Sequence, residues 1–190
     1  MNIKKAFEFK NTLFLVLLSI VLNIIGFLLI LRIDSFVHVD LYNYGLIFNN
    51  EWAKDYWFFK DLILTFLSGS IIISILSLIP HYDHNKHPTN FSKWAGILLP
   101  LTGIVYEMIS IIFLMQLDRI VRNDLYQFGL FSNFNWSAEY GPLTLATLTM
   151  MIIAIVVLII PMIRTAIKQQ NTKTKKISKK KKTKKWRKFK

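Results

Sequence analysis

Cysteine is absent from this chain of 190 residues, which excludes disulfides, thiolate metal sites and cysteine nucleophiles. No Ser/His/Asp set, phosphate-cradling glycine loop or H-E-x-x-H motif occurs, so the chain is read as a non-enzyme with no cofactor. Acids are few, with 11 Asp/Glu against 24 Lys/Arg. The basic excess is local: residues 168–190 hold 13 Lys/Arg and no acid, leaving 11 basic residues to balance the 11 acids elsewhere. A neutral body with a basic tail is a tethered patch and not a DNA-binding domain.

Apolar residues make up 53% of the chain, too many for an ordinary soluble domain of this length. They fall into four runs, at 11–32, 62–80, 94–117 and 143–161, and about 20 residues suffice to cross a bilayer. The first run follows three lysines, as a signal peptide would, but it is long, lacks a small-x-small cleavage site and leads straight into a repeated loop. It is read as a membrane helix. Pro80 and Pro161 are expected to stop the second and fourth helices, and Pro100 is expected to kink the third.

The chain is organised around a stretch that occurs twice. Residues 34–56 (DSFVHVDLYNYGLIFNNEWAKDY) and 118–140 (DRIVRNDLYQFGLFSNFNWSAEY) align without a gap at an offset of 84, with ten of 23 positions identical. Asp34, Asp40, Tyr42, Gly45 and Trp52 thus recur as Asp118, Asp124, Tyr126, Gly129 and Trp136. Outside these stretches the similarity fades, and 55–80 is three residues longer than 139–161 if the two prolines are paired.

Placing the N-terminus inside puts Lys4, Lys5, Lys10, Lys86, Lys93, Arg164 and the tail on the inner side, against five basic residues outside. The expected fold is therefore an all-α, multi-pass protein of the cell membrane with both termini cytoplasmic. Its four transmembrane helices form two tandem parallel two-helix repeats with short outer-loop helices. The segments are a cytoplasmic N-terminus at 1–11, repeat one at 12–80 with its outer loop at 33–61, and an inner loop at 81–93. Repeat two occupies 94–161 with its outer loop at 117–142, and a basic cytoplasmic tail at 162–190 is expected to be disordered.

Within the loops, Val37, Leu41 and Tyr44 and their counterparts Val121, Leu125 and Phe128 have the i, i+4, i+7 spacing of a helical face. Gly45 and Gly129 sit where a C-terminal glycine is wanted, and Trp52, Tyr56, Trp57, Trp136 and Tyr140 form an aromatic belt. The acids and aromatics of the loops also make a docking face for a partner membrane subunit. Asp34, His38 and Asp40, with Asp118 and Asp124, are candidate metal ligands, although Arg122 replaces His38 in the second copy. The D-x5-DLYxYGL wording resembles small archaeal integral membrane proteins with four predicted spans. That resemblance implies the four-span fold and no activity.

Glu107 lies near the middle of the third span, where a carboxylate is costly and a functional candidate by default. Its counterpart at the 84 offset is Asn23, so a carboxyl-amide pair across the repeat axis is expected, serving as interhelical glue, proton or cation handling, or contact with another subunit. The small residues Thr65, Ser68, Gly69, Ser70, Ser74 and Ser77 suit close helix packing. In the inner loop, His81, His84 and His87 offer weak metal candidates in what reads as a solvated turn.

In the tail, Lys179, Lys180, Lys181, Lys182, Lys184, Lys185, Arg187 and Lys188 surround Trp186, a composition that adheres to anionic lipid. Ribosomal RNA is the rival partner. Three functions stay open: an accessory or assembly subunit presenting the loops, a small proton or cation transporter using Glu107, and an insertase-like protein with a ribosome-binding tail.

Overall fold

The structure, a computed structural model, describes the backbone of 3–43, 50–86, 90–127 and 134–187, and the side chains of 11–39, 54–79, 94–123, 138–167 and Gln170. The chain is an all-α membrane protein. Four helices, α1 (Ile3–Asn43), α2 (Asn50–Lys86), α3 (Asn90–Gln127) and α4 (Phe134–Arg187), make up the described residues, and no strand occurs among them. Each contains a stretch of 26 to 30 residues apolar enough to cross a membrane: Asn11–Val39, Lys54–Ile79, Trp94–Asn123 and Ala138–Ile167. In hydrocarbon every backbone group must be paired within the segment, which is why such runs form unbroken helices.

The helices pack as an antiparallel square. α2 packs most extensively on α3 and α1 on α4, while the sequential hairpins α1/α2 and α3/α4 touch less; the diagonal pairs α1/α3 and α2/α4 make no close backbone approach among the described residues. Small residues allow the close α2/α3 contact: a Cβ on Gly69 would stand 2.7 Å from the Tyr106 ring. Phe59, Phe66, Phe113 and Tyr106 then interleave along this seam, with ring centroids 5.4 to 6.0 Å apart. On the opposite seam the residues 84 positions away are Leu22, Leu29, Leu143 and Met150.

The bundle buries polar groups among its apolar core residues and turns apolar faces outward. Ser19, Asn23, Ser70, Ser74, Ser77, Glu107, Ser110 and Thr147 are buried, whereas Phe14, Leu28, Ile72, Ile79, Ile112 and Leu145 stand exposed. In water this arrangement would be inverted; with lipid as solvent, apolar faces turn outward and polar groups find one another within.

The 84-residue offset reaches well beyond the loops. All eight positions buried on α1, from Val16 to Val37, have counterparts buried on α3, and all six buried on α2, from Tyr56 to Ser77, have counterparts buried on α4. Helix limits agree too, since Asn43 corresponds to Gln127 and Asn50 to Phe134. Pro161 is therefore the counterpart of Ser77, not of Pro80, and no three-residue insertion separates the two hairpins in this part.

Three sequence expectations need correction. Pro80 and Pro161 do not end their helices: α2 continues to Lys86 and α4 to Arg187, as α3 continues through Pro100. Unwinding a helix in hydrocarbon would strand several backbone groups, each costing several kcal/mol, whereas an interior proline costs about 3 kcal/mol. The outer-loop helices expected at Val37 and Val121 are, as far as Asn43 and Gln127, the last turns of α1 and α3, and residues 44–49 and 128–133 lie outside the described residues. The tail, expected to lack structure, is helical in backbone to Arg187. Lysine is a good helix former, and extending an existing helix avoids the cost of a new nucleus.

Candidate functional site in the bundle interior

Two apolar clusters fill the interior. One, built on Ile30, Ile33, Val37, Tyr56, Ile63, Leu67, Leu114, Leu117, Val121, Tyr140 and Met151, occupies the end of the bundle that carries the repeated stretches. The other, Val16, Ile20, Ile104 and Leu158, lies toward the opposite end. Between them on successive helices come Asn23 of α1, Ser70 of α2, Glu107 of α3 and Ala154 of α4. The two apolar plugs thus enclose a polar layer.

That layer has a directed hydrogen-bond chain. Asn23 Nδ2 donates to Ser70 Oγ at 3.4 Å, and Ser70 Oγ donates to the Gly103 carbonyl at 3.1 Å. Gly103 lies one turn before Glu107, and a Cβ there would fall 3.5 Å from Ser74 Oγ, so Ser74 faces the same turn of α3. Ser19 Oγ donates to the Ala154 carbonyl at 3.3 Å, tying α1 to α4 at this depth.

Glu107 is 0% exposed. Both of its carboxylate oxygens, together with Asn23 Oδ1 and Ser74 Oγ, are buried without a hydrogen-bond partner among the described residues. Glu107 and Asn23 are within carboxyl-amide reach of each other, as the offset implies, but are not aligned as a formed hydrogen bond. Among the described residues no arginine or lysine is paired with the acid. Lys60, the basic residue nearest along α2, lies ten positions from Ser70, about 15 Å along the helix, and is already paired with Asp34. An isolated carboxylate in such surroundings carries a large desolvation penalty, so a proton or a bound cation must neutralise it.

At the repeat end the acids are engaged. Tyr56 donates its hydroxyl to Asp34 Oδ1 at 3.0 Å, and Lys60 Nζ stands 3.5 Å from Oδ2 and 3.9 Å from the centre of the Trp57 ring. In the second copy Tyr140 stands within hydrogen-bonding reach of Asp118, and Arg122 Nε contacts both carboxylate oxygens at 2.9 and 3.0 Å. The ring of His38 meets the Trp57 ring at 5.6 Å.

Thus Asn23 and Glu107 come together at the centre, and Asp34 and Asp118 occupy equivalent corners. Asp34 and His38 do not join in a metal set, since among the described residues no three His, Asp or Glu side chains gather in one. The side chains of Asp40, Tyr42, Trp52, Asp124, Tyr126 and Trp136 lie outside the described residues, as do Gly45 and Gly129. The same holds for His87 and Lys188, and for the side chains of His81, His84, Lys179, Lys180, Lys181, Lys182, Lys184, Lys185, Trp186 and Arg187. Sequence reasoning treated Ser70 and Ser74 as packing residues and passed over Ser19. Their signal was the i, i+4, i+7 spacing of Ser70, Ser74 and Ser77, which puts three hydroxyls on one face.

Compared with protein-family models, curated proteins and solved structures, the chain matches none. Its site must therefore be interpreted from its own chemistry.

Proposed function

We propose that this integral membrane protein is a small proton or cation transporter whose carrier group is Glu107. The observation that carries the reading is a fully buried carboxylate, both oxygens unpartnered, in a polar layer between two apolar plugs. A structural acid would be satisfied by fixed donors; one that exchanges its proton or ion needs free lone pairs and no permanent counter-charge. The closed plugs correspond to an occluded state. The shared burial register of the two hairpins supports rocking of one against the other about an axis along the membrane normal, opening the layer to each side in turn.

In this reading the protein sits in the cell membrane with both termini cytoplasmic, from the excess of Lys/Arg on that side. The tail lies along anionic lipid. The test is flux in proteoliposomes, followed with a pH-sensitive dye and with cation tracers: the native protein passes ions and Glu107→Gln does not. Equal flux in both, or none in the native protein, removes the reading.

A second reading, an accessory or assembly subunit, is favoured by the repeat itself. Ten identities in 23 positions are concentrated around the two connections at one end of the bundle, as a docking face requires. It predicts a partner membrane subunit that copurifies after gentle detergent extraction and is lost when Asp40 and Asp124 are replaced together.

A further inference from the structure

The geometry of the polar layer points to one ligand class: we propose that it is a binding site for a single monovalent alkali cation, held by Glu107, Asn23 Oδ1 and Ser74 Oγ, for which protons compete. The inference rests on the transport reading above and names what the carrier group takes.

The first argument is donor direction. The Ser70 hydroxyl has one proton, and it is committed to the Gly103 carbonyl. Ser70 therefore meets Asn23 as an acceptor, and only the amide Nδ2 can supply the proton of that contact. This fixes the amide: Nδ2 is turned to Ser70, and Oδ1 is left as a buried acceptor. All four unpartnered atoms of the layer are oxygens, namely Glu107 Oε1 and Oε2, Asn23 Oδ1 and Ser74 Oγ. A set of neutral and anionic oxygens with no nitrogen or sulfur suits a hard cation.

The second argument is charge. Glu107 is the one carboxylate among the buried polar side chains described; the others, such as Asn23, Ser70 and Ser74, are uncharged. One negative charge is cancelled by one monovalent ion, whereas a divalent ion would leave a net positive charge buried between two apolar clusters.

The groups facing Glu107 leave its competition with protons simple. At its depth α1 offers Asn23, α2 offers Ser70 and Ser74, and α4 offers Ala154, none of which titrates. Tyr106, its neighbour on α3, packs its ring against Phe66. Tyr56 and Tyr140 stand 14 residues toward the repeat end on their helices, about 21 Å away, with Lys60 and Arg122 nearby.

The test is equilibrium binding of radiolabelled Na+ to the full-length protein in nanodiscs, with unlabelled Li+ and K+ as competitors. The expected result at alkaline pH is saturable binding of one Na+ per chain that weakens about tenfold for each pH unit once protons occupy the carboxyl. Ser74→Ala should weaken it about three- to tenfold, through loss of one neutral ligand. Glu107→Gln should abolish it, and Ser68→Ala, whose hydroxyl turns back to the Thr65 carbonyl on the exposed side, should leave it unchanged. Native protein that is monodisperse yet shows no saturable alkali binding, or binding that survives Glu107→Gln, overturns the proposal. Proton flux that depends on Glu107 without any alkali binding also overturns it while leaving the transport reading intact. Alkali binding without flux sustains this site and removes transport.

Discussion

Tyr56 donates its hydroxyl to Asp34 across the α1/α2 hairpin at 3.0 Å, and 84 residues later Tyr140 stands within hydrogen-bonding reach of Asp118 across α3/α4. Both tyrosines are buried, and each closes the repeat end of its hairpin over the larger apolar cluster. These contacts explain two of the ten identities in the repeated stretch, Asp34/Asp118 and Tyr56/Tyr140: they are fixtures that hold two helices in register.

Replacing either tyrosine with phenylalanine should therefore destabilise the bundle, by about 1.5–3 kcal/mol for a hydrogen bond to a charged group. Tyr56→Phe should cost more than Tyr140→Phe. Asp118 retains both contacts from Arg122, whereas Asp34 keeps only a 3.5 Å contact to Lys60. Thermal unfolding in detergent measures both. Equal losses would show that the arginine contributes nothing to holding Asp118.

The cation at each corner comes from a different helix. Lys60 of α2 serves Asp34, and its counterpart is Thr144; Arg122 of α3 serves Asp118, and its counterpart is His38. The mismatch that argued against a symmetric metal site is thus a compensated exchange, one positive charge per carboxylate. Arg122 is 44% exposed in its side chain, so Arg122→His alone should cost at most about 1 kcal/mol. Adding Thr144→Lys copies the first corner into the second and should recover that loss; a further fall in melting temperature would show that the two corners are not interchangeable.

How much of this was legible in the sequence differs by level. The four spans were plain, because runs such as 11–32 and 143–161 far exceed what a soluble core needs. Loop equivalence was plain from identities such as Trp52 and Trp136. The burial register was not, because helices apolar on all sides carry no amphipathic stripe, and Ile30 pairs with Leu114 or Leu67 with Met151 by position alone. Pro80 and Pro161 misled for a related reason: their strength as helix stops is calibrated in water, where a freed carbonyl can be solvated. Glu107 and Asn23 stood out because polar residues in a span are rare, while Ser70 and Ser74 hid among residues that also suit close packing. The repeat, conspicuous as a signature, holds structural bonds at one end and leads by its spacing to a polar layer in the middle.

The aromatic seam between α2 and α3 yields a packing prediction. A methyl at Gly69 would meet the Tyr106 ring at 2.7 Å, and that ring is held against Phe66 with centroids 5.4 Å apart. Overpacking of this kind costs about 1–3 kcal/mol, which exceeds the gain of about 1 kcal/mol from replacing an interior helical glycine. Gly69→Ala should thus lower stability, and Tyr106→Leu, the residue type found at Leu22 on the opposite seam, should rescue it. A double-mutant cycle on melting temperature reads the coupling; additive effects would place the clash elsewhere.

The final prediction separates function from architecture at Glu107. Were the acid present only to join helices, removing it would loosen the bundle, but its oxygens make no hydrogen bond to lose. Replacing a buried ionisable group with an apolar one of similar volume is commonly neutral or stabilising, by about 1–4 kcal/mol. Glu107→Leu should accordingly melt at or above the native temperature while losing all ion flux. Asn23→Leu should behave otherwise, because it removes the donor to Ser70, whose hydroxyl keeps only its own bond to the Gly103 carbonyl, costing about 0.5–1.5 kcal/mol. A Glu107→Leu protein that unfolds more readily than Asn23→Leu would make the carboxyl a structural joint, and the case for a carrier group would fail with it.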